Sequence, residues 1–250
     1  MASPLEQFTI KPWGPALEIA GYDVSFTNSA AAMVATLVVV TFFITFGMRK
    51  NALVPGRWQS GVEMCYEFIA KMLGDTAGPA GRKYFPFIFT LFMFVLAANL
   101  IGMIPWLHPF TFTSHIAVTF AMAFFVFVGV TIIGFATHGL KFFGFFVPDG
   151  APWYLLLILV PIEVISYLSR PISLSVRLFA NMVAGHTMLK VFGGFVVSLG
   201  ALGGIFAASA FLPFAFIVAL TGLELLVACL QAYVFAMLTC LYLNDALHMH

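Results

Sequence analysis

The chain has little charge. Lys, Arg, Asp and Glu supply 8% of its 250 residues, against roughly 25% in an ordinary globular protein. A surface so poor in charge is not built for water. The 11 basic and 10 acidic residues nearly cancel, which leaves no basic face for nucleic acid. Cysteine is scarce too. Cys65, Cys229 and Cys240 stand far apart without metal-ligand spacing, and they read as inert buried thiols rather than a disulfide or redox site. No phosphate-loop pattern occurs, so any nucleotide chemistry belongs to partners, and no cofactor or metal is expected. The first 27 residues lack the basic start and short apolar core of a signal peptide, and they read as a polar arm that stays on the protein.

What is present is apolar. Hydrophobic residues make up 62% of the chain, with 30 phenylalanines. Runs long enough to cross a bilayer recur, and they are continuous rather than alternating, which excludes a membrane barrel. The expected fold is an all-α polytopic membrane protein, a single membrane domain over 1–250. It has three ordinary transmembrane helices, one amphipathic surface helix and a C-terminal hairpin of two long tilted helices.

After the arm at 1–28, a first span covers 29–48 and closes on Arg49 and Lys50. An amphipathic helix at 55–73 places Trp58, Val62, Cys65, Phe68, Ile69 and Met72 at helical spacing, with Arg57, Glu63, Glu67 and Lys71 between them. The segment GPAGRK follows. A second span covers 85–105, a short loop holds His108 and Pro109, and a third span covers 112–137. Six basic residues lie in 49–84, and none lies in 106–111. The positive-inside rule therefore puts 49–84 in the cytoplasm and the N-terminus outside. An odd number of crossings then leaves the C-terminus in the cytoplasm.

The last hundred residues are unusual. Segments 152–192 and 205–247 are each about 40 residues long. At ~1.5 Å per residue that is ~60 Å, twice the hydrocarbon thickness. Polar residues are scattered along both without a clean break: Glu163, Arg170, Arg177, Asn181, His186 and Lys190 in one, Glu224 and Gln231 in the other. Pro161, Pro171 and Pro213 are expected to kink the helices without ending them. A fold-back near the glycine-rich stretch GGFVVSLGALGG tests this reading, because facing residues of an antiparallel hairpin share a common centre. A centre at 204–205 sets Arg177 near Gln231, His186 near Glu224, and Glu163 near 245–247 beside Asp245.

A guanidinium stays charged at any physiological pH. Holding one at mid-helix costs at least about 2.5–3.5 kcal/mol. Arg177 therefore suits an electrostatic gate or, more plainly, a structural ion pair within its own chain. His186 and Glu224 are both titratable and suit a proton relay; the plain reading of His186 is an interhelical hydrogen bond. Glu163 is a carboxylate able to bind and release a proton. Arg170 and Lys190 read as snorkelling to interfaces or lining water. His108 and His115 read as interfacial. A polar file, a fixed positive charge and a carboxylate describe two separated aqueous routes. A proton-coupled secondary transporter would use the same residues, but such transporters carry internal repeats, and no second copy of the arginine segment appears.

The runs SRPISLSVRLFANMVAGH and LELLVACLQAYVFAMLTCLYL, with NLIGMIP at 99–105, resemble the subunit a family of F-type ATP synthases in its alphaproteobacterial and mitochondrial form. The resemblance covers most of the chain from residue 29. It implies a non-catalytic proton-channel stator subunit in a bacterial inner membrane. The implied partners are the c-ring proteolipids, b-type peripheral-stalk subunits and the rest of the complex. Arg177 matches the family's essential arginine, which faces the ring carboxylates. Asn181 and Gln231 match polar residues beside it. His186 and Glu224 match the outer half-channel pair, Glu163 an acidic position of the cytoplasmic side, and Asn99 a polar position of the outer channel wall. Some members carry Glu and His exchanged at the places of His186 and Glu224. Gly102 stands where some members have an acid.

Overall fold

A computed structural model describes residues 9–10, 12, 18–19, 22–23, 25–49, 52, 54–104, 111–147 and 153–248. Pro105, His108, Pro109 and most of the expected arm lie outside the described residues.

The protein is an all-α membrane protein. Among the described residues, five helical stretches are long and apolar enough to cross a bilayer: Asn28–Gly47, Arg57–Gly102, Ile116–Phe146, Tyr154–Leu202 and Ala207–Leu247. Before them, strands β1 (Glu18–Ile19) and β2 (Tyr22–Asp23) pair antiparallel, with Ile19 opposite Tyr22. Helix α1 spans Asn28–Gly47. Thr27 starts it by accepting the Ala30 N–H on its hydroxyl at 3.3 Å, which satisfies one of the orphan donors of a helix start.

Helix α2 runs Arg57–Gly81, past the expected end at 73, through a break at Gly78 (φ 61°) and across Pro79. The left-handed backbone suits glycine, and the proline sits where a fresh helical turn lacks donors anyway. The amphipathic face is only partly as expected. Val62, Ile69 and Met72 are buried, whereas Trp58 and Phe68 are exposed. Trp58 instead meets the edges of Phe43 and Phe46, and Phe68 lies beside Phe92 and Tyr233.

Helix α3 is Phe85–Gly102 and α4 is Ile116–His138. A 3₁₀ turn at Phe112–Ser114 takes the residues expected to open the third span. Another 3₁₀ stretch, Gly139–Phe146, follows α4. Helix α5 spans Trp153–Leu202, α6 Gly204–Ser209 and α7 Phe211–Leu247. Helix α5 continues ten residues past the expected 192, through Gly193, Gly194 and Gly200. A helical glycine costs about 1 kcal/mol. In lipid an unsatisfied backbone costs several, so the helix persists. It ends where Gly203 and Gly204 both adopt left-handed backbone, φ 70° and 57°.

The chain packs as two compact units. One comprises Met1–Val40, Phe94–His115 and Leu178–Ala232. Its core holds Val95, Ala98, Phe112, Leu178, Met182, Ala228 and Ala232. Phe192 of α5 stacks on Phe216 of α7 at 5.6 Å. The other unit comprises Thr41–Met93, Ile116–Arg177 and Tyr233–His250. Its core includes Ile69, Leu73, Ile88, Val126, Val130, Phe235, Cys240 and Leu243. Tyr167 is buried there among Phe127, Phe142, Phe145 and Phe146, and its hydroxyl pairs with the Thr131 hydroxyl at 2.7 Å.

Candidate functional site

The titratable pair comes first. His186 of α5 and Glu224 of α7 meet with Nδ1 and Oε1 3.5 Å apart. Their side chains are 14% and 6% exposed. Both helices are apolar around them, so neither group has water on most sides. The carboxylate fits because residue 185 is glycine. A Cβ there would lie 2.6 Å from Glu224 Oε1. Neither Glu224 oxygen has a hydrogen-bond donor within its normal reach among the described residues. A separation of 3.5 Å exceeds a good hydrogen bond.

The imidazole is held from its other edge as well. Thr111 Oγ1 lies 3.2 Å from His186 Nε2. One ring nitrogen faces an acid and the other a hydroxyl. One turn beyond Glu224, the buried Asn99 of α3 donates its amide to the Ala228 carbonyl at 3.3 Å. Asn99 Oδ1 has no hydrogen-bond partner among the described residues. Asn99 thus ties α3 to α7. Asn181 is half-buried on α5, and Gln231 is buried on α7 at 8% exposure.

Glu163, Arg170 and Arg177 recur every seven residues along α5. A straight helix drifts only ~20° over such a step, so all three share one stripe. Their surroundings differ. Arg170 pairs with Asp245 of α7, Nη1 to Oδ2 at 3.0 Å. Its guanidinium also sits 4.8 Å from the Tyr242 ring centre and 5.1 Å from that of Tyr167. Arg170, expected to snorkel or to line water, is answered in place by an acid and by aromatic faces. Asp245, expected at the level of Glu163, pairs with Arg170 seven residues further along α5. Glu163 is half-buried and makes no ion pair among the described residues. Arg177 is exposed and likewise makes none.

Thr111 is the residue that sequence reasoning missed. It lies outside every apolar run and has no periodic signal. Among the described residues no cluster of His, Cys, Asp and Glu could hold a metal ion.

The family profile described as ATP synthase A chain matches residues 30–244. A protein named ATP synthase subunit a from Paramagnetospirillum magneticum is 60% identical, with 100% of each chain covered. Proteins of the same name from Pelagibacter ubique and Rhodospirillum rubrum are 56% and 54% identical. The first alignment covers 99% of this chain and 98% of its relative, the second 100% of both.

Proposed function

Because this chain belongs to the ATP synthase A chain family, we propose that its intramembrane polar residues form the two proton routes of a rotary motor. The protein is the proton-channel stator subunit of an F-type ATP synthase, a multi-pass protein of the bacterial inner membrane. It works within that complex against the c-ring. A proton-coupled transporter is not favoured.

The outer route runs through Asn99, His186 and Glu224. A proton reaching His186 charges the ring, and the ring passes it to the neighbouring carboxylate. From Glu224 the proton moves past Gln231 and Asn181 to a carboxylate of the ring. The inner route ends at Glu163, where a carboxylate can collect a proton and yield it to water. Arg177 stands between. Its fixed charge attracts a ring carboxylate only after that group has lost its proton, and a guanidinium cannot itself carry the proton across. Arg170 is answered by Asp245 within the chain. Arg177, on the same stripe, is exposed. That contrast supports a counter-charge supplied by another subunit. In this reading the b-type peripheral stalk holds the subunit still, 49–84 and the C-terminus lie in the cytoplasm, and the N-terminus lies outside.

The observation that carries the proposal is the contact between His186 Nδ1 and Glu224 Oε1 at 3.5 Å. It makes one functional unit of two groups on different helices, so their changes must be non-additive. In the whole enzyme reconstituted in vesicles, His186→Glu alone and Glu224→His alone each place like groups together. Each should slow ATP-driven proton pumping about tenfold or more. The double exchange restores one acid and one imidazole and should recover most of the lost rate. A double exchange no faster than the slower single would reject the pair as a relay.

A further inference from the structure

We propose that Thr111 is the third member of the outer relay, its hydroxyl handing the proton to the far nitrogen of His186. This rests on the reading of His186 and Glu224 as a proton path. The geometry is a line of three groups: the Thr111 hydroxyl 3.2 Å from Nε2, and Nδ1 on the opposite edge 3.5 Å from Glu224 Oε1. A hydroxyl is both donor and acceptor, and the imidazole can carry a proton on either nitrogen.

The proton balance is simple. With neutral His186 carrying its proton on Nδ1, the Thr111 O–H donates to Nε2 and Nδ1–H faces the Glu224 carboxylate. A hydronium ion arriving from the outer water gives its excess proton to Thr111 Oγ1 and leaves as water, while the hydroxyl's own proton passes to Nε2. The Nδ1 proton then moves to Glu224 Oε1, which becomes a carboxylic acid. Threonine and histidine end neutral, with the ring in its other tautomer. The carboxylic proton passes onward, and the ring returns to its first tautomer by giving its Nε2 proton to water and taking one from water at Nδ1, an exchange with no net transfer, which resets the line.

Two independent features hold the hydroxyl in that place. From one side, the 3₁₀ turn fixes the Thr111 backbone, whose carbonyl accepts the Ser114 N–H at 3.0 Å and the Ser114 hydroxyl at 2.5 Å. From the other, α3 ends in glycine. A Cβ at Gly102 would lie 2.7 Å from both Thr111 Oγ1 and Cγ2. The missing side chain at 102 is therefore the room that Thr111 occupies. The charged neighbours of the line are Glu224 across from it on α7 and Lys190 one turn along α5.

The test uses the whole enzyme in vesicles, with assembly judged by recovery of the ring with this subunit. Thr111→Val keeps the branched shape and removes the hydroxyl, and it should slow proton flux about tenfold. Thr111→Ser keeps the hydroxyl and should stay within about twofold of the native rate. Gly102→Ala leaves the hydroxyl in the chain but pushes it from His186, and it should match Thr111→Val. The two changes combined should be no slower than either alone. Native flux in an assembled Thr111→Val enzyme overturns the proposal, and so does equal slowing by Val and Ser, which marks a packing role. Should Thr111→Val fail to assemble, Gly102→Ala decides: native flux there overturns the proposal. His186→Ala is the control. Native flux in that variant sinks the underlying proton path, whereas slow His186→Ala with native Thr111→Val removes only the threonine.

Discussion

At the scale of single residues, two arginines on one helix face have opposite fates. Arg170 is consumed by Asp245 and by aromatic faces. Arg177 is exposed on the same stripe. Arg177→Ala should abolish ATP-driven proton pumping while leaving the complex assembled, since the exposed side chain supports no packing within this chain. Arg177→Lys should rescue poorly, because an ammonium gives up its proton when desolvated and lacks the planar fork. Acidification of vesicles by the purified enzyme measures both, and normal pumping by the Ala variant would remove Arg177 from the mechanism. Residues of this kind are legible from sequence because charge in an apolar run is costly. His186 and Glu224 were legible for the same reason. Thr111 was not, because a hydroxyl is cheap anywhere and only the folded chain brings it to an imidazole. The partner of Asp245 is not legible either, for a related reason. Residue numbering gives the level along a hairpin, but a long arginine reaches across levels.

At the scale of elements, α5 and α7 are joined by side-chain contacts whose loss has distinct consequences. Asp245→Asn leaves the Arg170 charge without its acid. The pair is partly solvated, at 21% and 30% exposure, so the cost is about 1–2 kcal/mol rather than that of a fully buried pair. The expected result is a lower melting temperature of the purified complex, with most of the loss recovered by Arg170→Gln in the same chain. No recovery would mean that the two residues act separately. Gly185→Ala acts differently. Its new Cβ would lie 2.6 Å from Glu224 Oε1, so the carboxylate must move from His186. Pumping should fall about tenfold while thermal stability changes little; unaltered pumping would show that the carboxylate has another productive position. The length of α5 was only partly legible. Its apolar, charge-bearing stretch is plain, but three glycines near its end read as a loop, and only the demand for a satisfied backbone in lipid carries the helix through them.

At the scale of the whole molecule, the distribution of basic residues sets the expected orientation. Cysteines placed at Ser3 and Ser60 should label from opposite faces of sealed vesicles, and labelling of both from one face would invert the arrangement or add a crossing. The order of the chain has a further consequence, which concerns biosynthesis. Helix α5 alone carries Glu163, Arg170, Arg177 and Lys190, together with His186. Each charge at mid-bilayer costs about 2.5–3.5 kcal/mol. The groups that answer Arg170 and His186, Asp245 and Glu224, lie on α7 and are made last. The expectation is that a nascent chain ending at Leu202 holds α5 less stably in the lipid than the complete chain does, and that the two helices enter together, turning at Gly203 and Gly204. A cysteine at Leu178, which is 1% exposed in the finished fold, reports on this. In a background without the native cysteines, it should react with a water-soluble maleimide in the chain truncated after Leu202 and stay protected in the complete one. Equal protection would mean that α5 settles alone. On the proposed function, protection in the complete chain alone would give the pairing of His186 with Glu224 a second role, in setting the moment during synthesis at which α5 leaves water.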